Sequence, residues 1–221
     1  MDSEKLAAPM NETSLPSHSV DWRFLLPIYE KTKMLVICYE QNDYDRSFQE
    51  LGIPIETMSF DKLEATDNRY SPLFELESFD VVAAPHGLNR ISSMGERSGL
   101  AESLRSARRL IRPGGAFLLG FSNRWDIRRK RQESSYVSTT SEMSRLLSGL
   151  GYETKFYYGA VPERVSPEYI FPLDAQSLGF VLNHRYQHKL PHYFLKLTKT
   201  ALVNPLLNFL PFYYVVAGVG G

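Results

Sequence analysis

"ARRLIRPGGAFLLGF", residues 107–121, decides the fold. Upstream of it, Leu100, Leu104, Ala107 and Ile111 recur at helical spacing and mark one buried face over residues 99–111. Arg112-Pro113-Gly114-Gly115 then breaks the helix, because proline lacks a donor and two glycines follow it. Ala116 to Phe121 is an unbroken apolar run, the pattern of a strand buried on both faces. A helix that hands over to such a strand is half of a βαβ unit.

Working outward, the same alternation continues. "FDVVAAP", residues 79–85, is a buried parallel strand before the helix. Met34 to Tyr39 is another, and "IPIETMSF", residues 53–60, carries a two-residue period. Between them, Tyr44, Phe48 and Leu51 fall at helical spacing with Gly52 as the cap. Downstream, "TTSEMSRLLSGLGY" opens on a Ser/Thr N-cap with Glu142 in the first turn and closes at Gly151. "ETKFYYGAV", residues 153–161, and "FYYVVAGV", residues 212–219, are strands. Strands alternating with helices at this spacing predict a largely parallel sheet. Its ligands bind at the carboxyl ends of the strands, near the point where strand order reverses.

Composition narrows the class. The chain has 221 residues, 25 basic and 25 acidic, so no net charge draws it to nucleic acid or an anionic membrane. Cys38 is the single cysteine, which rules out an internal disulfide and points to a reducing, cytoplasmic setting. Residues 1–19 are polar and read as a disordered lead-in rather than a secretory signal; residues 20–221 read as one domain. "VDWRFLLP", residues 20–27, is expected to pack on that domain or cover a pocket mouth. The apolar tail from Ala201 contains Asn204, Pro205, Asn208 and Pro211, so no membrane-spanning helix is expected there.

"SFDVVAAPHGLNRI", "LAESLRSARRLIRPGGAFLLGFSNRW" and "TSEMSRLLSGLGYETKFYY" together resemble class I S-adenosylmethionine-dependent methyltransferases of the type 11-like group. The resemblance covers residues 33–161 and the final strand, and its most specific part is the Arg-Pro-Gly-Gly junction. It implies a Rossmann-like α/β fold: a seven-stranded, mostly parallel sheet with helices on both faces and an antiparallel last strand. Residues 162–209 would then be an insertion on the substrate side.

The resemblance also implies site positions. "MLVICYEQND" places Val36 at the family's acidic position and Cys38, Glu40 and Asn42 where three glycines usually cradle S-adenosylmethionine. The cofactor loop is therefore degenerate. A Cβ at a position needing positive φ costs about 1 kcal/mol or more. Asn42 tolerates that conformation best, and the Glu40 carboxylate would repel the carboxylate end of the cofactor. Ser59, with Asp61 two residues on, stands at the ribose-binding position; Asp67 and Asn68 stand beside the adenine; Pro85, His86 and Asn89 follow the fourth strand of the family. His86 is the candidate general base; a loop histidine capping the next helix is the structural alternative.

Three further groups draw notice. His184, His188 and His192 lie at four-residue spacing, but Pro191 interrupts them and no acid lies among them, so no metal site is predicted. Arg124, Arg128, Arg129, Lys130 and Arg131 form a basic loop, either solvated or holding an anionic substrate. Tyr157, Tyr158, Tyr169, Phe171, Tyr186, Tyr193 and Phe194 line either a pocket or a satellite core. Two functions follow. One is methyl transfer to an oxygen or nitrogen of a small-molecule acceptor, glycosylated or phosphorylated. The other is a catalytically inactive methyltransferase-like module that binds or stabilises a partner, a homodimer among the options.

Overall fold

The apolar runs become the strands of one sheet. A computed structural model describes residues 21–29, 31–38, 53–59, 74–86, 97–126, 137–162, 167–186 and 204–220. Their strands are β1 (Met34–Cys38), β2 (Ile55–Ser59), β3 (Phe79–Ala84), β4 (Ile111–Asn123), β5 (Val137–Ser138), β6 (Tyr152–Val161), β7 (Tyr169–Pro172) and β8 (Phe212–Val219). The helices are α1 (Arg97–Leu110), α2 (Thr140–Gly149), α3 (Ala175–Tyr186) and the single turn α4 (Asn204–Leu207), with a 3-10 turn at Trp22–Leu25.

Strand order is β2-β1-β3-β4-β8-β6-β7, with β5 paired to β4 off that path. β2, β1, β3 and β4 are mutually parallel, and β8 runs antiparallel between β4 and β6. The antiparallel last strand is therefore in place. β5 and β7 join the strands the sequence led us to expect and make the described sheet eight-stranded. From β1 the chain goes first to β2 on one side and then to β3 on the other, so strand order reverses between β1 and β3.

Both faces of the sheet are covered, which explains why β1 reads as five consecutive apolar residues, all buried. Leu35, Ile37, Val82, Phe117, Leu119, Phe121 and Val215 pack with Leu100 and Leu104 of α1, Met143 and Leu147 of α2, and Leu178 and Val181 of α3. On the opposite face, Met34, Val36, Val81, Ala83, Leu118, Phe212 and Tyr214 pack with Trp22 and Leu26. Asp21 holds the Trp22–Leu25 turn on that face by accepting the Arg23 N–H at 2.9 Å.

The Arg112–Gly115 junction differs from its expected form. α1 ends at Leu110, and Ile111 belongs to β4 rather than to the helix face. The strand runs straight through the prolyl-glycine segment as a bulge: Phe79 faces Ile111, but Val81 already faces Ala116. Gly114 takes φ +77°, and a β-carbon on Gly115 would fall 2.8 Å from the Asp80 carbonyl oxygen. The Asp80 carboxylate secures the bulge, accepting the Lys33 N–H at 2.7 Å and pairing with Arg112 at 2.5 Å.

α2 begins as its sequence predicts. Thr139 and Glu142 form a reciprocal capping box, and Gly151 takes φ +83° beyond the helix end.

Candidate active site

Three parallel strands end at one level. Cys38 pairs with Ser59, and Val36 pairs with Ala83, which puts Pro85 level with Cys38. This floor lies at the carboxyl ends of β1, β2 and β3, around the reversal of strand order, where open α/β sheets bind ligands. Cys38 is the last residue of β1 and buried. Alternation puts its side chain on the face of Met34 and Val36 rather than up into the crevice. Among the described residues Glu77 is the only non-glycine with positive φ. The steric penalty expected of a cysteine at a glycine position therefore does not arise at Cys38, because the chain is still extended there.

The floor meets a wall. Ala84 is opposite Leu119, yet β4 continues to Asn123, four residues or about 13 Å further. β8 occupies one edge of this overhang up to Ser122. β5 pairs Val137 with Ser122 and Ser138 with Asn123, so it must take the other edge, directly in line with β3. Pro85 lies in the short interval between the end of β3 and the start of β5, its carbonyl against Gly120. His86 is half-buried, with its Nδ1 in the interior.

At the top of the wall a buried asparagine joins two segments. Asn123 Nδ2 donates to the carbonyls of Asn208 and Leu210, both at 2.6 Å, and contacts the Tyr213 hydroxyl at 3.0 Å. Its Oδ1 accepts the Trp125 N–H at 3.1 Å, and its own N–H donates to the Pro211 carbonyl at 3.0 Å. The Tyr213 hydroxyl donates onward to the Leu207 carbonyl at 2.7 Å. Burial pushes this hydroxyl well above its ordinary pKa against the opposing Asn123 hydrogen bond, with Asp126 adding to the rise, so it stays protonated. The network pins the segment that leads into β8 to the end of β4. The sequence reading passed over Asn123; its one signal was an amide placed directly at a strand end.

The other candidates separate. Cys38, Ser59, Pro85 and His86 gather at the floor as described. Glu40, Asn42, Asp61, Asp67, Asn68 and Asn89 lie outside the described residues. Arg124 does not stand open for an anion: it pairs with Glu142 at 2.5 Å, the same carboxylate that caps α2 through the Thr139 N–H. The rest of the basic loop, residues 128–131, lies outside the described residues. His184 is bonded to the Tyr169 hydroxyl at 2.9 Å and stacks on Phe180, while His188 and His192 lie outside the described residues. Among the described residues, no three of His, Cys, Asp and Glu are grouped to hold a metal, and no helix is long and apolar enough to cross a membrane.

Comparison with known proteins places this architecture. No protein-family model and no curated protein matches the chain. Solved structures do. A methyltransferase from Archaeoglobus fulgidus dependent on S-adenosylmethionine is 11% identical with a TM-score of 0.56, over 89% of this chain and 90% of that one. One from Methanosarcina mazei is 10% identical with a TM-score of 0.53, over 91% and 99%. Phosphoethanolamine N-methyltransferase 2 of Haemonchus contortus, in complex with S-adenosyl-L-methionine, is 13% identical with a TM-score of 0.54. That match covers 90% of this chain and only 51% of the enzyme, so the chain spans about half its length. The fold is that of the class I S-adenosylmethionine-dependent methyltransferases.

Proposed function

We propose that the protein is a divergent S-adenosylmethionine-dependent methyltransferase acting on an oxygen or nitrogen of a small-molecule acceptor. The observation that carries this reading is the common level of Cys38, Ser59 and Pro85 beside the reversal of strand order. When bound, S-adenosylmethionine supplies an electrophilic methyl group. Ser59 and Asp61 are the residues we assign to the ribose, with Asp67 and Asn68 beside the adenine. Cys38, Glu40, Asn42 and Pro85 border the rest of the cofactor. The extended Cys38 removes one of three steric objections to binding; Glu40 and Asn42 retain theirs.

His86 is the general base in this reading. In that role its ring takes the proton from the acceptor's hydroxyl or ammonium.

A second reading is a module that keeps the fold without catalysis and binds or stabilises a protein partner. It draws on the absence of glycine at residues 38, 40 and 42.

Calorimetric titration with S-adenosylmethionine and S-adenosylhomocysteine separates the two. Binding that Asp61→Ala or Asn68→Ala abolishes is the expected result. No heat and no thermal shift at ~1 mM ligand, which bounds the affinity near 4 kcal/mol, would leave only the second reading. Tight binding indifferent to both substitutions would put the nucleoside elsewhere.

A further inference from the structure

β3 ends where the sheet offers its next residues no place. Ala84 faces Leu119, so Pro85 falls opposite Gly120. Pro85 has no N–H with which to continue the ladder. Two residues further, the position in line with β3 belongs to β5, where Val137 faces Ser122. The chain therefore leaves the sheet at Pro85, and Gly120 marks the side it takes. Alternation puts Gly120 on the face of Leu118, the face that Phe212 also packs. The point where a β-carbon on Gly120 would fall is 1.9 Å from the Pro85 carbonyl oxygen and 2.8 Å from the Phe212 ring tip. The Pro85 carbonyl thus occupies the space that a side chain at residue 120 would fill.

We propose that Gly120 is a positioning residue for His86: its missing side chain lets the Pro85–His86 peptide lie on β4 and so sets where the general base stands. The inference rests on the methyltransferase reading and adds to it a residue that touches neither cofactor nor acceptor. The link from Gly120 to His86 is covalent. The Pro85 carbonyl and the His86 N–H belong to one peptide, which moves as a planar unit. β-Carbons do not come within 3.0 Å of other heavy atoms, so alanine at residue 120 would push this peptide by about 1 Å and carry His86 with it. A misplacement of about 1 Å is the scale on which a positioned group loses on the order of a hundredfold in rate. The sequence holds a trace of this role, a glycine inside the apolar run Ala116 to Phe121, where close approach of another backbone is one reason for its presence.

Protection of His86 by S-adenosylhomocysteine tests this. Diethyl pyrocarbonate acylates accessible imidazole, and peptide mass spectrometry locates the adduct on each of the five histidines. Calorimetry gives the dissociation constant of S-adenosylhomocysteine for each protein. At about ten times that constant, the ligand is expected to slow modification of His86 about tenfold in wild type, in step with the unliganded share. In Gly120→Ala at equal saturation, the protection is expected to fall below about twofold. His184, bonded to Tyr169, should react at one rate in both proteins with and without ligand, which reports that the variant is folded. Lower stability alone leaves a protection ratio at equal saturation unchanged, so the ratio reads position. If Gly120→Ala does not fold, Phe212→Leu decides: it withdraws the ring tip from the same point and adds no atom there. It should cut the protection at least about threefold. Binding of S-adenosylhomocysteine that leaves His86 unprotected in wild type overturns the proposal. Protection equal to wild type in Gly120→Ala, or in Phe212→Leu where that variant decides, overturns it too, and in either case the methyltransferase reading stands. No binding of S-adenosylhomocysteine to wild type sinks both.

Discussion

The carbonyl oxygen of Pro85 lies 1.9 Å from the point where a β-carbon on Gly120 would fall. The obstacle is backbone, with the Phe212 ring 2.8 Å away behind it, so neither neighbour can yield cheaply. Gly120→Ala is therefore expected to destabilise the protein by on the order of 3 kcal/mol in urea unfolding, at the upper end for overpacking. Gly149→Ala, in the last turn of α2 with nothing within 4 Å of its added carbon, is the internal control. It should gain about 0.5–1 kcal/mol from helix propensity. Equal effects at the two sites would mean that the strand end beside His86 is not held by this contact.

Removal of the Asn123 amide takes the donor away from the buried Leu210 carbonyl and the half-buried Asn208 carbonyl. Asn123→Ala is expected to cost on the order of 3 kcal/mol, and Tyr213→Phe about 1 kcal/mol. Because the two side chains touch, the double variant should lose less than the sum, and a double-mutant cycle in urea measures the shortfall. Strict additivity would show that the two hydrogen bonds do not form one network.

Acid should weaken the start of α2. Burial pushes the Glu142 carboxyl upward, but the Thr139 N–H and Arg124 outweigh it, and the net pKa lies below the ordinary 4.5. A lowered folded-state pKa means stability that is complete above the unfolded value and lost as pH falls through the folded one. Wild type should exceed Glu142→Gln by about 0.3–1 kcal/mol at neutral pH, the worth of a carboxylate charge at a helix N-terminus, since Gln keeps the capping-box geometry. The gap should close below pH 4.5, and added salt should trim the Arg124 share. A gap that stays constant with pH would remove the carboxylate from the explanation.

Glu77 holds a left-handed conformation, φ 55°, while its N–H donates to the Arg109 carbonyl in the last turn of α1 at 2.9 Å. Glycine keeps that hydrogen bond without the clash of a β-carbon. Glu77→Gly is expected to stabilise by about 0.5–1 kcal/mol, a rise of roughly 1–4 °C in Tm, and Glu77→Ala to give no gain.

How far the sequence is legible follows from the range of each interaction. β1, β3 and the apolar half of β4 are unbroken hydrophobic runs whose burial on both faces needs no knowledge of partners, and α2 carries its cap and stop within its own residues. Arg112–Gly115 reads in the sequence as a break between helix and strand; that it is a bulge within β4 depends on Asp80, reached only through strand pairing. β5 is two residues long and has no pattern of its own; it exists because β4 overhangs β3. Asn123 is more remote still. Its partners Asn208, Leu210 and Tyr213 lie 85 to 90 residues away along the chain, beyond any local signal. The strands whose ends form the floor were thus readable from their apolar runs, while the floor positions came only from the resemblance and the wall from neither.

The place of β8 has a consequence for how the protein is made. Residues 212–219 lie between β4 and β6, so the sheet stays in two pieces until residue 219 has left the ribosome. During that interval β4 and β6 each present an open edge of apolar strand, the form most prone to pair with another nascent chain. Closure then joins residues about a hundred positions apart in a single step, which makes it the slow event of assembly. Synthesis, rather than equilibrium stability, sets the moment of greatest exposure to aggregation for this chain.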